Sequence, residues 1–450
     1  MSVPEEKAAE RRLQRAIEGE ATFRVVDGLY VIGSLERGVT VYKQQVRAHN
    51  LTWAIWELRS AQKLPALKNV AVVGGGIAGL TAAGCFLSLF DTAKVTVFEQ
   101  LWDLCPLQQG CDNRWLHPRI YEWPAPGSRA PGASLPVMNW SEGRASDVAR
   151  NVLTEFGRFR SEFDPMNERL QVYVGVDTLR ITASKRNIEW RGHTAANEGS
   201  FFKVGAAEAK SESFDAIVVA CGFGLESIAP DYPTASYWRN EQIGQPILDG
   251  KQQTFLISGY GDGALTDLFR LTIERFRQDT VLYEIFKELE KVETYFAGVW
   301  PEAKWGDNAF ELFEKSGDNG LNAAAELLSK RIRKDTRVIL HVKGRGSSYK
   351  SITHIFGPHS SFLNRLLTYL LHRCNAFAVS LDALPVAVHN CRVPPGNVLC
   401  RYGADALGHL RGLFVDVVTI DERLDEMKDS QLQKPRLNWE PGIFPIARKK

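Results

Sequence analysis

No uninterrupted apolar run of about 18 residues occurs in the chain, so no membrane-crossing helix and no membrane partner are expected. The N-terminal stretch is charged where a secretory signal needs an apolar core, which points away from secretion. Charge of one sign is missing as well. The 55 basic residues face 53 acidic ones for a formal net charge of +2. No cluster interleaves Lys or Arg with aromatics, so no nucleic-acid partner is expected. Cysteine is sparse and odd in number: Cys85, Cys105, Cys111, Cys221, Cys374, Cys391 and Cys400 are scattered through 450 residues. That pattern suits a reducing cytoplasm better than a disulfide framework. A Gly-x-Ser-x-Gly elbow is absent, which leaves hydrolase chemistry without support. Internal repeats and low-complexity tracts are absent too.

What is present is an ordinary globular composition, 44% hydrophobic and 24% charged, in a chain long enough for two or three domains. Residues 5–20, EEKAAERRLQRAIEGE, read as a solvated charged helix, and ARKK closes the chain. FRVVDGLYVIG (23–33) reads as a strand or hairpin. In residues 39–61, Val46, Leu51, Ile55 and Leu58 recur at helical spacing, with Trp53 and Trp56 nearby. That helix needs something to pack against and offers a contact surface for a second copy or a protein partner. Residues 101–140, rich in Pro, Gly, Arg and Trp, read as a long ordered loop, followed by a helix at about 144–163. Short strand-like runs come next (LQVYVGV, LRITAS, NIEWRG, FFKVGAA), then two strongly apolar strands, FDAIVVACGFG and the start of QTFLISGYGDGALTDLFRL. Beyond 275 the chain turns helix-rich (280–295, 321–333, 360–373), with RVILHVKG and GLFVDVVTI as interspersed strands.

The most specific stretch is KNVAVVGGGIAGLTAAGCFLSLFDTAKVTVFEQ, residues 68–100. Gly74, Gly76 and Gly79 follow the strand NVAVV and open a helix. One glycine permits the turn, one lets a pyrophosphate approach the backbone, and one lets helix and strand touch. Phosphates would then sit at the helix N-terminus, where N–H groups and the helix dipole favour anions. Twenty residues past Gly79, at the end of KVTVFE, Glu99 can accept both hydroxyls of a ribose and would repel a 2′-phosphate.

With this motif the chain resembles the FAD/NAD(P)-binding flavoprotein superfamily of glutathione-reductase-like fold. FDAIVVACGFG resembles that family's D-x-V-V-x-A-T-G strand, with Asp215, Ala220 and Gly222 in register and Cys221 in place of the usual Thr. TFLISGYGDGAL resembles its last strand, ending in Gly-Asp. The resemblance implies an α/β fold: a Rossmann-like FAD-binding domain over 69–275 with a β-meander insertion. A preamble, 1–68, precedes it, and a helix-rich α+β domain, 276–450, follows it as a substrate cap or interaction module. It implies FAD as cofactor, held by Gly74, Gly75, Gly76, Ile77, Ala78, Gly79, Glu99, Gln100, Arg114, Ala220, Cys221, Gly222, Gly261 and Asp262, with Asp262 on the ribityl chain. A competing reading treats Gly259-x-Gly261-x-x-Ala264 as a second, NAD(P)-binding turn with Glu284 beyond it. Against it, DTVLYEIFKELEKVETYF reads as a helix capped by Asp279 or Thr280. Under the FAD reading no nicotinamide domain is expected, and NAD(P)H would act as a transient reductant.

Candidates for chemistry are fewer. In the superfamily, disulfide reductases place a redox pair where Cys105 and Cys111 lie, with four intervening residues. CPLQQGC has five, which favours two unrelated thiols. The loop NRWLHPRIYEWPAPG (113–127) concentrates Arg114, His117, Arg119, Tyr121, Glu122 and Trp123. In this fold it passes near the flavin ring, so His117 and Arg114 are the candidate catalytic residues. His354 and His359 have no ligand partners at metal spacing, and no metal site is read. Ser360, Ser361 and Asn364 read as a helix start with serine as cap. Together these features predict a cytoplasmic FAD-dependent oxidoreductase acting on a small molecule, with monooxygenation the first subclass to test. The alternatives are a flavoprotein whose FAD is structural or sensing, and a two-dinucleotide reductase.

Overall fold

The computed structural model describes residues 3–35, 39–198, 201–222, 226, 229, 231–232, 234–299, 309–317, 319–342, 352–357, 360–431 and 444. The strands in chain order are β1 (Arg24–Val26), β2 (Leu29–Val31), β3 (Asn69–Val73), β4 (Lys94–Phe98), β5 (Trp115–Leu116), β6 (Gly143–Arg144), β7 (Leu170–Thr182), β8 (Asn187–Glu198), β9 (Phe201–Ser213), β10 (Ala216–Val219), β11 (Gln253–Ser258), β12 (Thr336–His341), β13 (Ala378–Ser380) and β14 (Val398–Cys400).

Eight of them form one sheet in the order β1-β2-β10-β3-β4-β7-β8-β9. Strands β2, β10, β3, β4 and the first part of β7 are parallel. β7 then runs on into an antiparallel meander with β8 and β9, and β1 folds back on β2. The parallel strands are short β-branched runs buried on both faces, as such sheets require. Side chains alternate between two cores. Val70, Val72, Val95, Val97 and Val218 pack under the helices Val41–Ser60, Ile77–Leu89 and Ala145–Phe163. Ala71, Val73, Phe98, Ile217 and Val219 face Trp190 of the meander and Leu410, Phe414 and Leu424 from near the C-terminus.

The second sheet is entirely parallel, in the order β13-β12-β11-β14. The helices Asp262–Thr272, Val281–Ile285, Leu289–Val299, Ala309–Lys315, Leu321–Ser329 and Phe362–Arg373 cover one face in a single apolar cluster. Leu256, Ile339, Ala387 and Val398 pack on the other. Both sheets are therefore buried on two faces around a parallel core, and the chain holds two Rossmann-like units.

Three expectations are corrected. The strand expected to close the first sheet, β11, lies inside the second, because it pairs on both sides with β12 and β14. Its place beside β10 is taken by β2 from the preamble, in the register Ile217↔Leu29 to Val219↔Val31. Finally, GLFVDVVTI is no strand. Phe414 makes one isolated bridge to Ile181, and Val417–Thr419 form a 3-10 turn, with Asp416 accepting from the amides of Ala183 (2.7 Å) and Ser184 (2.9 Å). The expected helices at 39–61, 144–163 and 360–373 are present. The segment DTVLYEIFKELEKVETYF is helical, split into Val281–Ile285 and Leu289–Val299, with Thr280 as cap of the first.

Candidate functional site

Val31, Val219, Val73 and Phe98 stand in one row across β2, β10, β3 and β4, so the chain leaves all four strands at the same edge. In open α/β sheets that carboxyl edge is where ligands bind. The turn after β3 is built on close approach. Gly74 has φ +112°, and a Cβ there would stand 2.5 Å from the carbonyl oxygen of Ala220. A Cβ on Gly79 would collide with the carbonyl oxygen of Gly74, so strand and helix touch. Gly76 caps the helix with no side-chain hydrogen bond, and a Cβ there would meet nothing within 4 Å. The helix amide end is thus open to an approaching anion over Gly76.

Glu99 closes β4 beside this turn. Its carboxylate accepts from the amides of Gly75 and Leu101, both at 2.8 Å. Burial raises its pKa, and the amides of Leu101 and Gly75 oppose that rise. Ala220, Cys221 and Gly222 follow β10 directly onto the turn: the amide of Ala220 donates to Val73 O (2.7 Å), and the Cys221 thiol lies 3.4 Å from the same oxygen. Ile77 and Ala78 form the first turn of the helix, and Gln100 is exposed next to Glu99. Asp215 has a structural task, accepting from the amides of Lys68 (2.6 Å) and Asn69 (2.9 Å).

The turn after β11 repeats this geometry in the second sheet. Gly259 has φ +135°, and a Cβ there would stand 2.5 Å from the carbonyl oxygen of Arg401. Gly261 caps the helix Asp262–Thr272, again without a side-chain hydrogen bond. Asp262, expected on the ribityl chain, belongs to this turn of the second sheet. Its Oδ1 accepts from the amide of Ser361 and from Asn364 Nδ2, both at 2.7 Å. Ser361 caps the helix Phe362–Arg373, as the sequence implied. Next to the turn, the Ser258 hydroxyl lies 2.7 Å from His341 Nδ1 and 2.8 Å from the Tyr402 hydroxyl.

The loop after β4 ties the two sheets together. Arg114, only 3% exposed, donates to Asp267 (2.5 Å) and to Tyr237 O (2.8 Å) and lies 3.2 Å from Glu241. Arg401 Nε donates to the other Asp267 oxygen at 2.8 Å. Burial pushes the Asp267 carboxyl up, but Arg114, Arg401 and Arg270 together outweigh it and hold the pKa at about 2. His117 Nδ1 accepts from the amides of Arg119 (3.1 Å) and Ile120 (3.0 Å), fixing the short turn Ile120–Glu122. Burial lowers its pKa. Both candidate catalytic residues are therefore engaged in holding the loop. Between that loop and the helix Asp262–Thr272 lies a cavity of about 240 Å³, lined by Arg114, Trp115, Arg144, Tyr237, Arg270 and Arg277 among others.

Cys105 and Cys111 are buried free thiols whose pKa values burial raises. Cys105 donates its amide to Gly75 O at 2.9 Å and thereby supports the glycine turn. His359 and the side chain of His354 lie outside the described residues. Sequence reading passed over two features: the Asp267 hub, and the turn from β2 into the helix Val41–Ser60. The second carried a signal, since Gly33-Ser34 ends an apolar strand just before the Thr40 cap of that helix.

No family model matches the chain, and no curated protein matches it. Among solved structures, L-lysine 6-monooxygenase from Pseudomonas syringae aligns at 16% identity over 45% of this chain and 47% of that one, TM-score 0.22. The reduced form of ornithine hydroxylase from Pseudomonas aeruginosa aligns at 16% identity over 45% and 51%, TM-score 0.20. The aligned part thus spans about half the length of each of these two proteins. The enzyme OTEMO, in complex with FAD and NADP, aligns at 12% identity over 77% and 72%, TM-score 0.31. Likenesses at this level carry no weight for the fold or its ligands, which rest on the geometry above.

Proposed function

We propose that the chain is a flavoprotein oxidoreductase that holds FAD at the carboxyl edge of the first sheet. One observation carries this reading: the strand–glycine turn–helix–strand unit from Asn69 to Glu99, with close backbone approach at Gly74 and Gly79 and open space over Gly76. The amide end of the helix Ile77–Leu89 would take the pyrophosphate, and Glu99 would exchange its amide partners for the adenosine ribose hydroxyls. When bound, FAD supplies hydride and single-electron chemistry. The protein's own part is to bind and orient it, and to keep water away with the loop between Leu104 and Trp140, whose Arg114, His117 and Trp123 are buried.

The second sheet favours a further reading. Its glycine turn repeats the geometry of the first, so a nicotinamide dinucleotide is the natural second occupant and NAD(P)H the natural reductant. Monooxygenation of a small molecule is the subclass this pairing suits. Opposing it, the Asp262 carboxylate already stands at the amide ends of two helices and disfavours a phosphate there.

The test is spectroscopic. The purified chain should be yellow or take up FAD, and NADH or NADPH added anaerobically should bleach it. A colourless protein that cannot be reconstituted with FAD sinks the main reading. Bound FAD that neither nicotinamide reduces sinks the two-dinucleotide reading and leaves a structural or sensing flavin.

A further inference from the structure

The segment before the first glycine motif enters the fold as part of the ligand-binding edge. β2 lies parallel to β10, and the amide of Ile32 continues the ladder to Val219 O at 3.0 Å. Ile32, Gly33 and Ser34 therefore emerge level with Gly74 and Ala220. The helix Val41–Ser60 then starts at that edge and returns over the same face as the helix Ile77–Leu89, in one shared core. Their beginnings lie side by side: Gln45 Nε2 donates to Thr81 Oγ1 at 3.1 Å, each residue in the second turn of its helix. Two helix amide ends thus point to one edge, on either side of the place where strand order reverses between β3 and β10.

A second observation is independent of the helix end. Ser34 is 3% exposed, and its hydroxyl has no hydrogen-bond partner among the described residues. Buried hydroxyls are nearly always satisfied, so an orphan at a ligand-binding edge marks a missing acceptor or donor. Its neighbour Gly33 is fixed to the helix start, its carbonyl accepting from Gln44 Nε2 at 3.0 Å. Lys43 Nζ stands 3.8 Å from Glu122 of the charged loop, bringing that loop to the same helix turn.

A dinucleotide is longer than one glycine turn, and its two halves lie on either side of the strand-order reversal. We infer that the turn Ile32–Ser34 and the first turn of the helix Val41–Ser60 hold the half of the dinucleotide that lies beyond the pyrophosphate, with the Ser34 hydroxyl bonding to it. The inference rests on the FAD reading above. It makes Leu29–Ser34 and the first turn of the helix Val41–Ser60 a part of the cofactor site, in the place where sequence reading had put Gly261 and Asp262.

The experiment compares FAD with ADP, which can fill only the Gly74–Gly79 half, by calorimetric titration of the full chain freed of ligand. Ser34→Ala should weaken FAD by roughly fivefold, the worth of one hydrogen bond, and leave ADP unchanged. Ser34→Leu, which removes the hydroxyl and adds bulk at the same position, should weaken FAD by more than about tenfold, again with ADP unchanged. Should the leucine variant misfold by circular dichroism, the alanine variant decides. Equal losses for both ligands, or none for either, overturn the inference. So does a native chain that binds FAD no more tightly than ADP, although the glycine-turn reading then stands. A native chain that binds neither ligand removes the FAD reading itself, and the inference with it.

Discussion

Arg114 and Asp267 meet in a buried ion pair, Nη1 to Oδ1 at 2.5 Å, that joins the loop after β4 to the first helix of the second sheet. Asp267 is fully buried, so its charge depends on its guanidinium partners. Removing one partner of such a pair costs about 3–5 kcal/mol, because the other charge stays buried. Arg114→Ala leaves Arg401 on Asp267, so the loss in urea denaturation should fall at or below the lower end of that range. Arg114→Lys should recover part of it, since an ammonium keeps the charge without the two-sided fork. A variant that lost turnover at full stability would support the catalytic role expected for Arg114 from sequence.

The acid limb of stability follows from the same carboxylate. Asp267 titrates at about 2 in the fold, below its ordinary value of 3.8. Its stabilisation is complete above about pH 4 and is lost as the pH falls towards 2, a loss of roughly 2 kcal/mol. Melting temperatures of the native chain should drop across that window. In Asp267→Asn, which is less stable at neutral pH, that part of the drop should be absent.

Gly76 and Gly79 separate ligand from fold. A methyl at Gly79 would collide with the Gly74 carbonyl, whereas one at Gly76 would project into open space. Gly79→Val should fold poorly or melt well below the native chain. Gly76→Val should melt within a few degrees of it, as surface changes usually do, yet lose FAD by more than about a hundredfold. FAD retained at native affinity by the Gly76 variant would refute the pyrophosphate position.

Glu99 gives the matching test at the other end of the adenosine. Glutamine keeps the shape but offers one carbonyl oxygen where the carboxylate offers two. Glu99→Gln should fold and bind FAD about tenfold more weakly, close to the loss of one charge-assisted hydrogen bond. Parallel titration with adenosine and with 2′-deoxyadenosine should show the native preference for the ribose hydroxyl reduced in the variant. An unchanged preference would remove Glu99 from the ribose.

Much of the first unit was legible because its determinants are local. Gly74, Gly76 and Gly79 act within one turn, and the runs NVAVV and AIVV are apolar on both faces because helices cover one and the meander and C-terminal segment the other. What was not legible is long-range. Nothing within QTFLISGYGDGAL says whether β11 pairs with β10 or with β12 and β14, since all are short β-branched strands. The place beside β10 went instead to β2, almost two hundred residues away, through a ladder that only the folded chain displays. For the same reason the structural partners of Arg114 and His117 were not legible. The charge and loop position of these two residues are local facts, whereas Asp267, which binds Arg114, and Arg401, which shares Asp267 with it, lie far along the chain.

His49 predicts a pH dependence that reports on the helix Val41–Ser60. It is completely buried, with Nδ1 donating to Gln45 O at 2.8 Å and Nε2 accepting from the Val137 amide at 3.3 Å, so the neutral ring is the bound form. Burial lowers its pKa to about 4, only partly opposed by the Gln45 carbonyl. A proton therefore binds the unfolded chain first. Stability is complete above about pH 6.5 and falls as the pH drops to about 4, by roughly 3 kcal/mol in all. Urea midpoints of the native chain should decline over that range, and His49→Gln should remove this part of the slope while lowering stability at pH 7. His117, also lowered by burial, contributes with the same sign, so the difference between the two chains isolates His49. Identical slopes would mean that the ring is protonated in the fold, and that the contact between this helix and the loop at Val137 is looser than its hydrogen bonds imply.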